Sequence, residues 1–283
     1  MFKSIIKQYL TYGAGNLAQQ LLGFLLIPIY LRLFTPAEFG IIATLLVIQT
    51  LLILITTSGI NNGLMMLYYD VDTRVRKQLV GNTWLWYLGG AVLGILIFSV
   101  PAKPLSSLLF GSAEYGYTLQ LLGIYMGATL LTEVPLTLLR MEKQAGRYVF
   151  LSLLRFAADL TLKIVLIVSL ERGVNGFFES GLLANILVLV LALPLVYRYV
   201  SFKPNYQQLK KLARLGAPLI IGALAVWTLS LSDRLILNYF HGTAFVGIYG
   251  AANTVANLFN ILLYTPFVLF WNPFFLSYAS DNV

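Results

Sequence analysis

Of 283 residues, 59% are hydrophobic and only 11% are charged, whereas soluble domains carry about 25% charged residues. A water-soluble fold of this size keeps too much wet surface to hide so many apolar side chains; with a mean hydropathy of +0.81, most of the chain is solvated by lipid. The absence of cysteine and the single histidine exclude disulfides, thiolate catalysis, Cys-ligated metals and any site that needs two imidazoles. No cofactor is expected. The formal charge of +8 reads as the Lys/Arg excess that orients membrane proteins, not as a nucleic-acid surface.

A bilayer core about 30 Å thick takes about 20 apolar residues per helix. Eight stretches qualify, at roughly 9–31, 39–60, 81–102, 117–139, 148–170, 174–197, 212–238 and 245–277. Runs such as Leu51–Ile55 and Ile186–Leu193 are apolar at every position, which argues against the alternating strands of a β-barrel. The expected fold is therefore an all-α polytopic membrane protein. The first span is too long for the apolar part of a signal peptide and lacks a small-residue cleavage site, so it reads as a retained helix. Gly13, Asn16 and Gln20 share one of its faces. The second follows Phe34-Thr35-Pro36-Ala37-Glu38. With the N-terminus inside, thirteen of the 19 Lys and Arg fall in inner segments and four in outer ones. That asymmetry places both termini in the cytoplasm.

The fourth and fifth spans carry the charges that lipid tolerates least. Arg155, Asp159 and Lys163 stand at i, i+4 and i+8, so they form one stripe about 12 Å long. Three ionised groups near a helix centre cost about 8–10 kcal/mol on insertion scales, more than the apolar residues around them return. The stripe must face protein or water. Two readings stand: an internal Arg155–Asp159 pair that helps packing, or a cationic patch in a hydrophilic cavity. Glu133 on the fourth span lies at the depth of Arg155 across the hairpin, and the spacing predicts a Glu133–Arg155 pair.

On the seventh span Trp227, Ser230, Arg234 and Asn238 share a face, and Asp233-Arg234 near its outer end reads first as an interfacial pair. On the eighth, Tyr249, Asn253, Asn257, Asn260 and Tyr264 share a face. Carboxamides suit sugar hydroxyls, which both donate and accept, and they equally suit interhelical hydrogen bonds. An internal echo links the two ends of the chain. Gly13-Ala14 recurs as Gly216-Ala217, and Phe39-Gly40-Ile41 as Val246-Gly247-Ile248, at offsets of 203 to 207. Six spans separate the copies, so the repeat keeps its orientation and predicts two lobes about an axis along the membrane normal. Residues 1–205 form a six-helix N-terminal lobe, and 206–283 the first two helices of a second.

The segment Pro28-Ile29-Tyr30-Leu31-Arg32-Leu33-Phe34-Thr35-Pro36-Ala37-Glu38-Phe39-Gly40 resembles the signature of polysaccharide transporters. So do Ser58-Gly59-Ile60-Asn61-Asn62-Gly63 with Tyr68-Tyr69, and Asp233-Arg234-Leu235-Ile236-Leu237 followed by Val246-Gly247-Ile248-Tyr249. In order and at the matching spans, these motifs are similar to those of the Wzx-type flippases of the multidrug/oligosaccharidyl-lipid/polysaccharide exporter superfamily. The resemblance implies a non-enzymatic flippase in the bacterial cytoplasmic membrane. Such a protein moves an undecaprenyl-pyrophosphate oligosaccharide to the periplasmic leaflet by alternating access, driven by H⁺ or Na⁺, among membrane lipids and polysaccharide polymerase partners. Arg155 and Lys163 would then hold the pyrophosphate, with Arg234; Asn16, Gln20, Asn253 and Asn257 would meet the sugars; Asp159 or Glu133 would take up the coupling ion. The family continues for at least four more helices, so the chain reads as C-terminally truncated. The rival expectations are a multidrug cation exporter, a membrane glycosyltransferase or polymerase, and an inactive fragment.

Overall fold

The structure, a computed structural model, describes residues 32–57 and 59–259, with side chains to residue 256. The span expected at 9–31, with Asn16 and Gln20, lies outside the described residues, as does the end of the eighth. The rest is helical: α1 (Pro36–Thr57), α2 (Ile60–Leu67), α3 (Thr73–Ser99), α4 (Ala102–Phe110), α5 (Gly116–Met141), α6 (Ala145–Lys163), α7 (Gly173–Val196) and α8 (Tyr206–Phe259). Among the described residues, five segments are long and apolar enough to cross a membrane. These are α1, α3, α5, α7 and α8. The protein is an all-α polytopic membrane protein. α6 falls short on composition, because four charged residues interrupt it. Its length is sufficient: a π-helical turn at Ile164–Ser169 extends it, giving a rod of about 37 Å.

The helix boundaries follow from local chemistry. Thr35 and Glu38 form a reciprocal capping box at the start of α1. The Thr35 amide donates to Glu38 Oε2 at 2.8 Å, and the Glu38 amide donates to Thr35 Oγ1 at 3.3 Å. Pro36 occupies the first helical position, where its missing N–H costs nothing. Asp72 caps α3 by accepting from the Val75 amide at 3.0 Å, so this helix begins eight residues before the apolar stretch does. Polar Thr73–Gln78 continue it as an ordinary capped first turn. α8 runs 54 residues, too long for one crossing, and breaks at Gly242 (φ 76°, ψ 175°). That backbone region is open essentially to glycine. The break yields two limbs, 206–241 and 243–259, in place of two separate spans with a loop.

α5 is the hub. It buries 67% of its most apolar window, against 39% for α1, α3 and α7. α3 packs on one side and α7 on the other, and α6 packs on α7. Leu119, Leu122, Met126 and Leu130 of α5 are fully buried, with Phe98 and Tyr87 of α3 and Phe178 of α7.

α8 lies along α1 and α2 through backbone-on-backbone contacts. A Cβ on Gly40 would sit 1.7 Å from the Thr243 carbonyl oxygen, and one on Gly247 would sit 1.9 Å from that of Pro36. The contact is reciprocal, since Thr243 and Gly247 each stand 207 positions beyond Pro36 and Gly40. The two copies of the sequence echo therefore meet each other. Gly59 and Gly216 approach as closely at the other end of α1.

The connection from α7 to α8 is tied down on α3. The Ser201 amide donates to the Lys77 carbonyl at 2.9 Å. Asn82 donates to Gln208 Oε1 at 2.7 Å and accepts from the Asn205 amide at 3.0 Å. Phe202 stacks on Trp84 with centroids 5.6 Å apart.

Candidate functional site: two cavities beside one ion pair

The charged stripe of α6 opens onto a cavity of about 260 Å³ between α5, α6 and α7, lined by Glu133, Arg155, Asp159, Ser152, Asn185 and Tyr125 among others. Asp159 is its organiser. Oδ2 accepts from Lys163 Nζ at 2.6 Å, and Oδ1 accepts from Ser180 Oγ at 3.0 Å. The ammonium of Lys163 also stands 4.2 Å from the ring centre of Phe177, a cation–π contact of the kind that gains strength when desolvated. Lys163 is 12% exposed and Asp159 25%.

The expected Glu133–Arg155 pair is not formed, and neither is an Arg155–Asp159 pair; among the described residues no carboxylate lies within 4.0 Å of Arg155. Glu133 and Arg155 share the cavity without bonding. The reason lies in the helix. Asp159 precedes Lys163 by four residues, the favourable order for an acid and a base, whereas Arg155 precedes Asp159 in the unfavourable one. Sequence reasoning also missed Ser180 and Asn185 on α7. Asn185 donates to the Gly181 carbonyl at 2.8 Å, while its Oδ1 and Ser152 Oγ are buried without a hydrogen-bond partner among the described residues. The signal that could have found Asn185 is a carboxamide interrupting the otherwise apolar run Leu182–Leu193. Buried polar atoms left unpaired cost about 1–3 kcal/mol each.

A second cavity, of about 330 Å³, lies between α1 and the two limbs of α8, with Phe177 of α7 reaching in. Phe39, Thr50, Leu231 and Thr254 line it, and Arg234 brings the one cation among the described lining residues. The Arg234 side chain is 12% exposed and Asp233 lies 3.9 Å away; Nη1 donates to the Ser230 carbonyl at 3.3 Å. Asp233 is engaged elsewhere. Its carboxylate accepts the Tyr249 hydroxyl, a bond that ties the two limbs of α8 across the Gly242 break. Asn238 donates to the Leu109 carbonyl of α4 at 2.9 Å.

The structure thus brings Glu133, Arg155 and Asp159 to one cavity, with Lys163 attached through its ion pair. Arg234 belongs to the other. Phe177 lines the Arg234 cavity and carries the Lys163 ammonium on its ring, so it links that cavity to Asp159 through the ion pair without lining the cavity of Asp159 itself. Asn253 is half-buried on the second limb of α8 and lines neither cavity. The Asn257 side chain lies outside the described residues.

Helices long enough to cross a bilayer, packed around a largely buried ion pair and two recesses, define a polytopic membrane protein. The chain belongs to the family of polysaccharide biosynthesis proteins, whose match covers residues 29–282. It is similar to the succinoglycan biosynthesis transport protein ExoT of Rhizobium meliloti (strain 1021), with 24% identity over 244 residues. That alignment takes in 84% of this chain and 47% of the relative, so the chain spans about half the length of the curated relative it matches. No solved structure matches significantly.

Proposed function

We propose that the chain forms part of a flippase, not an enzyme, for a lipid-linked oligosaccharide. The chain supplies an N-terminal lobe (1–205) and the opening helices of a second (206–283). The substrate is an undecaprenyl-pyrophosphate oligosaccharide such as an O-antigen unit. It moves from the cytoplasmic to the periplasmic leaflet of a bacterial inner membrane, toward the polymerase that consumes it, and both termini of this chain lie on the cytoplasmic side. The observation that carries this reading is Arg234, a largely buried guanidinium with only a loosely held carboxylate, on the wall of the recess between α1 and α8. A guanidinium only loosely held by Asp233 and turned into a recess is available to an anion that visits. The reciprocal Gly40–Gly247 contact supports two pseudo-symmetric halves closing on that recess, and the relative's name supports transport.

Arg155 is the second cation available to the pyrophosphate, while Asn16, Gln20, Asn253 and Asn257 meet the sugars. A cavity of about 260 Å³ is too small for an oligosaccharide and suits a coupling ion with water. Asp159, with Glu133, takes up H⁺ or Na⁺ there. Neutralising Asp159 releases the charge of Lys163 from its partner, so ion uptake raises the positive potential behind Phe177 and favours the anionic headgroup.

The test is surface polysaccharide in the native host, with membrane levels of each variant held equal. Arg155→Gln with Arg234→Gln is expected to abolish display and to leave lipid-linked oligosaccharide in the inner leaflet. Full display by that double variant would refute the assignment.

A further inference from the structure

A third recess lies apart from both cavities, at the end of the bundle where α3 begins and α7 ends. Its volume is about 710 Å³, and its walls include Lys77, Trp84, Pro194, Tyr197, Arg198 and Phe202. The two cations stand on different elements. Lys77 is one turn into α3, and Arg198 lies in the turn that follows α7. Among the described residues neither has a carboxylate within 4.0 Å, and the described lining contains no acid.

The recess is graded along the bundle axis. Trp84 is seven residues deeper on α3 than Lys77, about 10 Å at the helical rise. Pro194 and Leu193 lie below Arg198 on α7 in the same way. Charge therefore sits at the mouth, aromatic and aliphatic surface below it. The shape is held rigidly: Phe202 is stacked on Trp84, the Trp84 indole donates to the Leu131 carbonyl at 3.2 Å, and the Lys77 carbonyl accepts the Ser201 amide. Tyr197 stays 82% exposed at the rim, as aromatic side chains do where hydrocarbon gives way to headgroups.

We propose that this recess binds one anionic glycerophospholipid, its phosphodiester between Lys77 and Arg198 and its acyl chains against Trp84, Leu193 and Pro194. Basic pockets between membrane helices recognise lipid headgroups by this combination of charge and depth. The volume falls within the range of small-molecule sites. The site sits where the α7–α8 connection is pinned to α3, so a bound lipid would brace that joint. It does not depend on the transport reading.

The test uses the purified full chain in neutral detergent, titrated with phosphatidylglycerol carrying brominated acyl chains. Quenching of Trp84 is obtained as the difference from a Trp84→Phe variant, with phosphatidylcholine of the same chains as reference. Preferential quenching by phosphatidylglycerol is expected. Each cation near an anionic headgroup contributes on the order of tenfold or a little less in affinity, so Lys77→Gln with Arg198→Gln should weaken binding about thirtyfold. Lys77→Arg with Arg198→Lys should retain it. Neutralising Lys203 and Lys210, exposed cations at the same end that do not line the recess, should leave the curve in place. Equal quenching by the two lipids in the parent protein would overturn the proposal without recourse to any charge variant. An equal loss from the Lys203/Lys210 pair would also overturn it, since that is the signature of diffuse surface charge.

Discussion

The apposition of Gly40 and Gly247 makes a quantitative prediction. A methyl group on Gly40 would lie 1.7 Å from the Thr243 carbonyl oxygen, while ordinary contact begins at 3.4 Å. α1 and α8 must therefore part locally by about 1.7 Å, the difference between the two. Backbone atoms on both sides leave no flexible side chain to yield. Overpacking of this kind costs about 1–3 kcal/mol, which depopulates the packed arrangement by about fivefold to 150-fold. The chain has no cysteine, so a reporter disulfide can be introduced without competing thiols. A Cβ built on Gly250 lies 3.8 Å from Ala43 Cβ, within the separation that disulfides adopt. Ala43→Cys with Gly250→Cys should cross-link readily in the parent. Adding Gly40→Ala should slow cross-linking at least about fivefold. Gly247→Ala should match it, because the contact is reciprocal. Gly222→Ala, a helical position with open space around it, is the control and should leave the rate unchanged. Equal cross-linking in the Gly40, Gly247 and Gly222 variants would show that α1 and α8 do not meet through these glycines.

Two further outcomes follow from the charged groups. Asp159→Ala leaves the Lys163 ammonium largely buried with its carboxylate gone, and breaking a buried pair in this way costs about 3–5 kcal/mol; thermal melts in detergent should fall sharply, and Asp159→Leu with Lys163→Met should recover most of the loss. A melt of the single variant within about 2 °C of the parent would refute the pairing, since 3 kcal/mol moves a chain of this size by about 5 °C. Outside the spans, burial first, then the hydrogen bond and charge of Glu142, push the Tyr68 phenol well above its usual range. A phenol whose folded-state pKa lies above its unfolded value of about 10 contributes stability fully below that pH and loses it as pH rises beyond. Tyr68→Phe should therefore melt lower than the parent at neutral pH, and the difference should shrink above about pH 10; a constant difference across that window would remove the Tyr68–Glu142 bond from the account.

The spans within the described residues were legible because lipid imposes length and hydropathy on a helix directly. The apolar cores of α1, α3, α5 and α7 lie where hydropathy places them. α3 begins earlier, because Asp72 caps a polar first turn that hydropathy does not register. The break at Gly242 was not legible either: a glycine flanked by His241 and Thr243 reads as a short loop, and only its backbone angles make it a hinge inside continuous helix. At the site, the stripe on α6 was visible from spacing alone, and its need for a protected face followed from the energy of insertion. Its pairing was not. Ser180 competes for Asp159 from another helix, and a single sequence carries no record of which residue faces which across α6 and α7. Phe177 was missed for the same reason. As one phenylalanine beside another in an apolar span, it gained meaning only when Lys163 was found on one side of it and Arg234 beside the same recess.

The residues that carry the family resemblance are chiefly devices for ending and turning helices. Thr35, Pro36 and Glu38 build the start of α1. Gly40 and Gly247 let two helices meet backbone to backbone. Asp233 and Tyr249 clamp the limbs of α8 on either side of its break. Such residues fix an architecture, and any member sharing them shares the frame whatever it carries. Arg234 is the exception, since it lies beside Asp233 in the motif and yet turns into the recess. Under the proposed function, selectivity among cargoes resides in groups that line the Arg234 recess without building the frame, Phe177 among them. Exchanging Phe177 between members should then change what is transported while leaving helix packing intact, whereas exchanging Gly40 or Tyr249 should disturb every cargo alike.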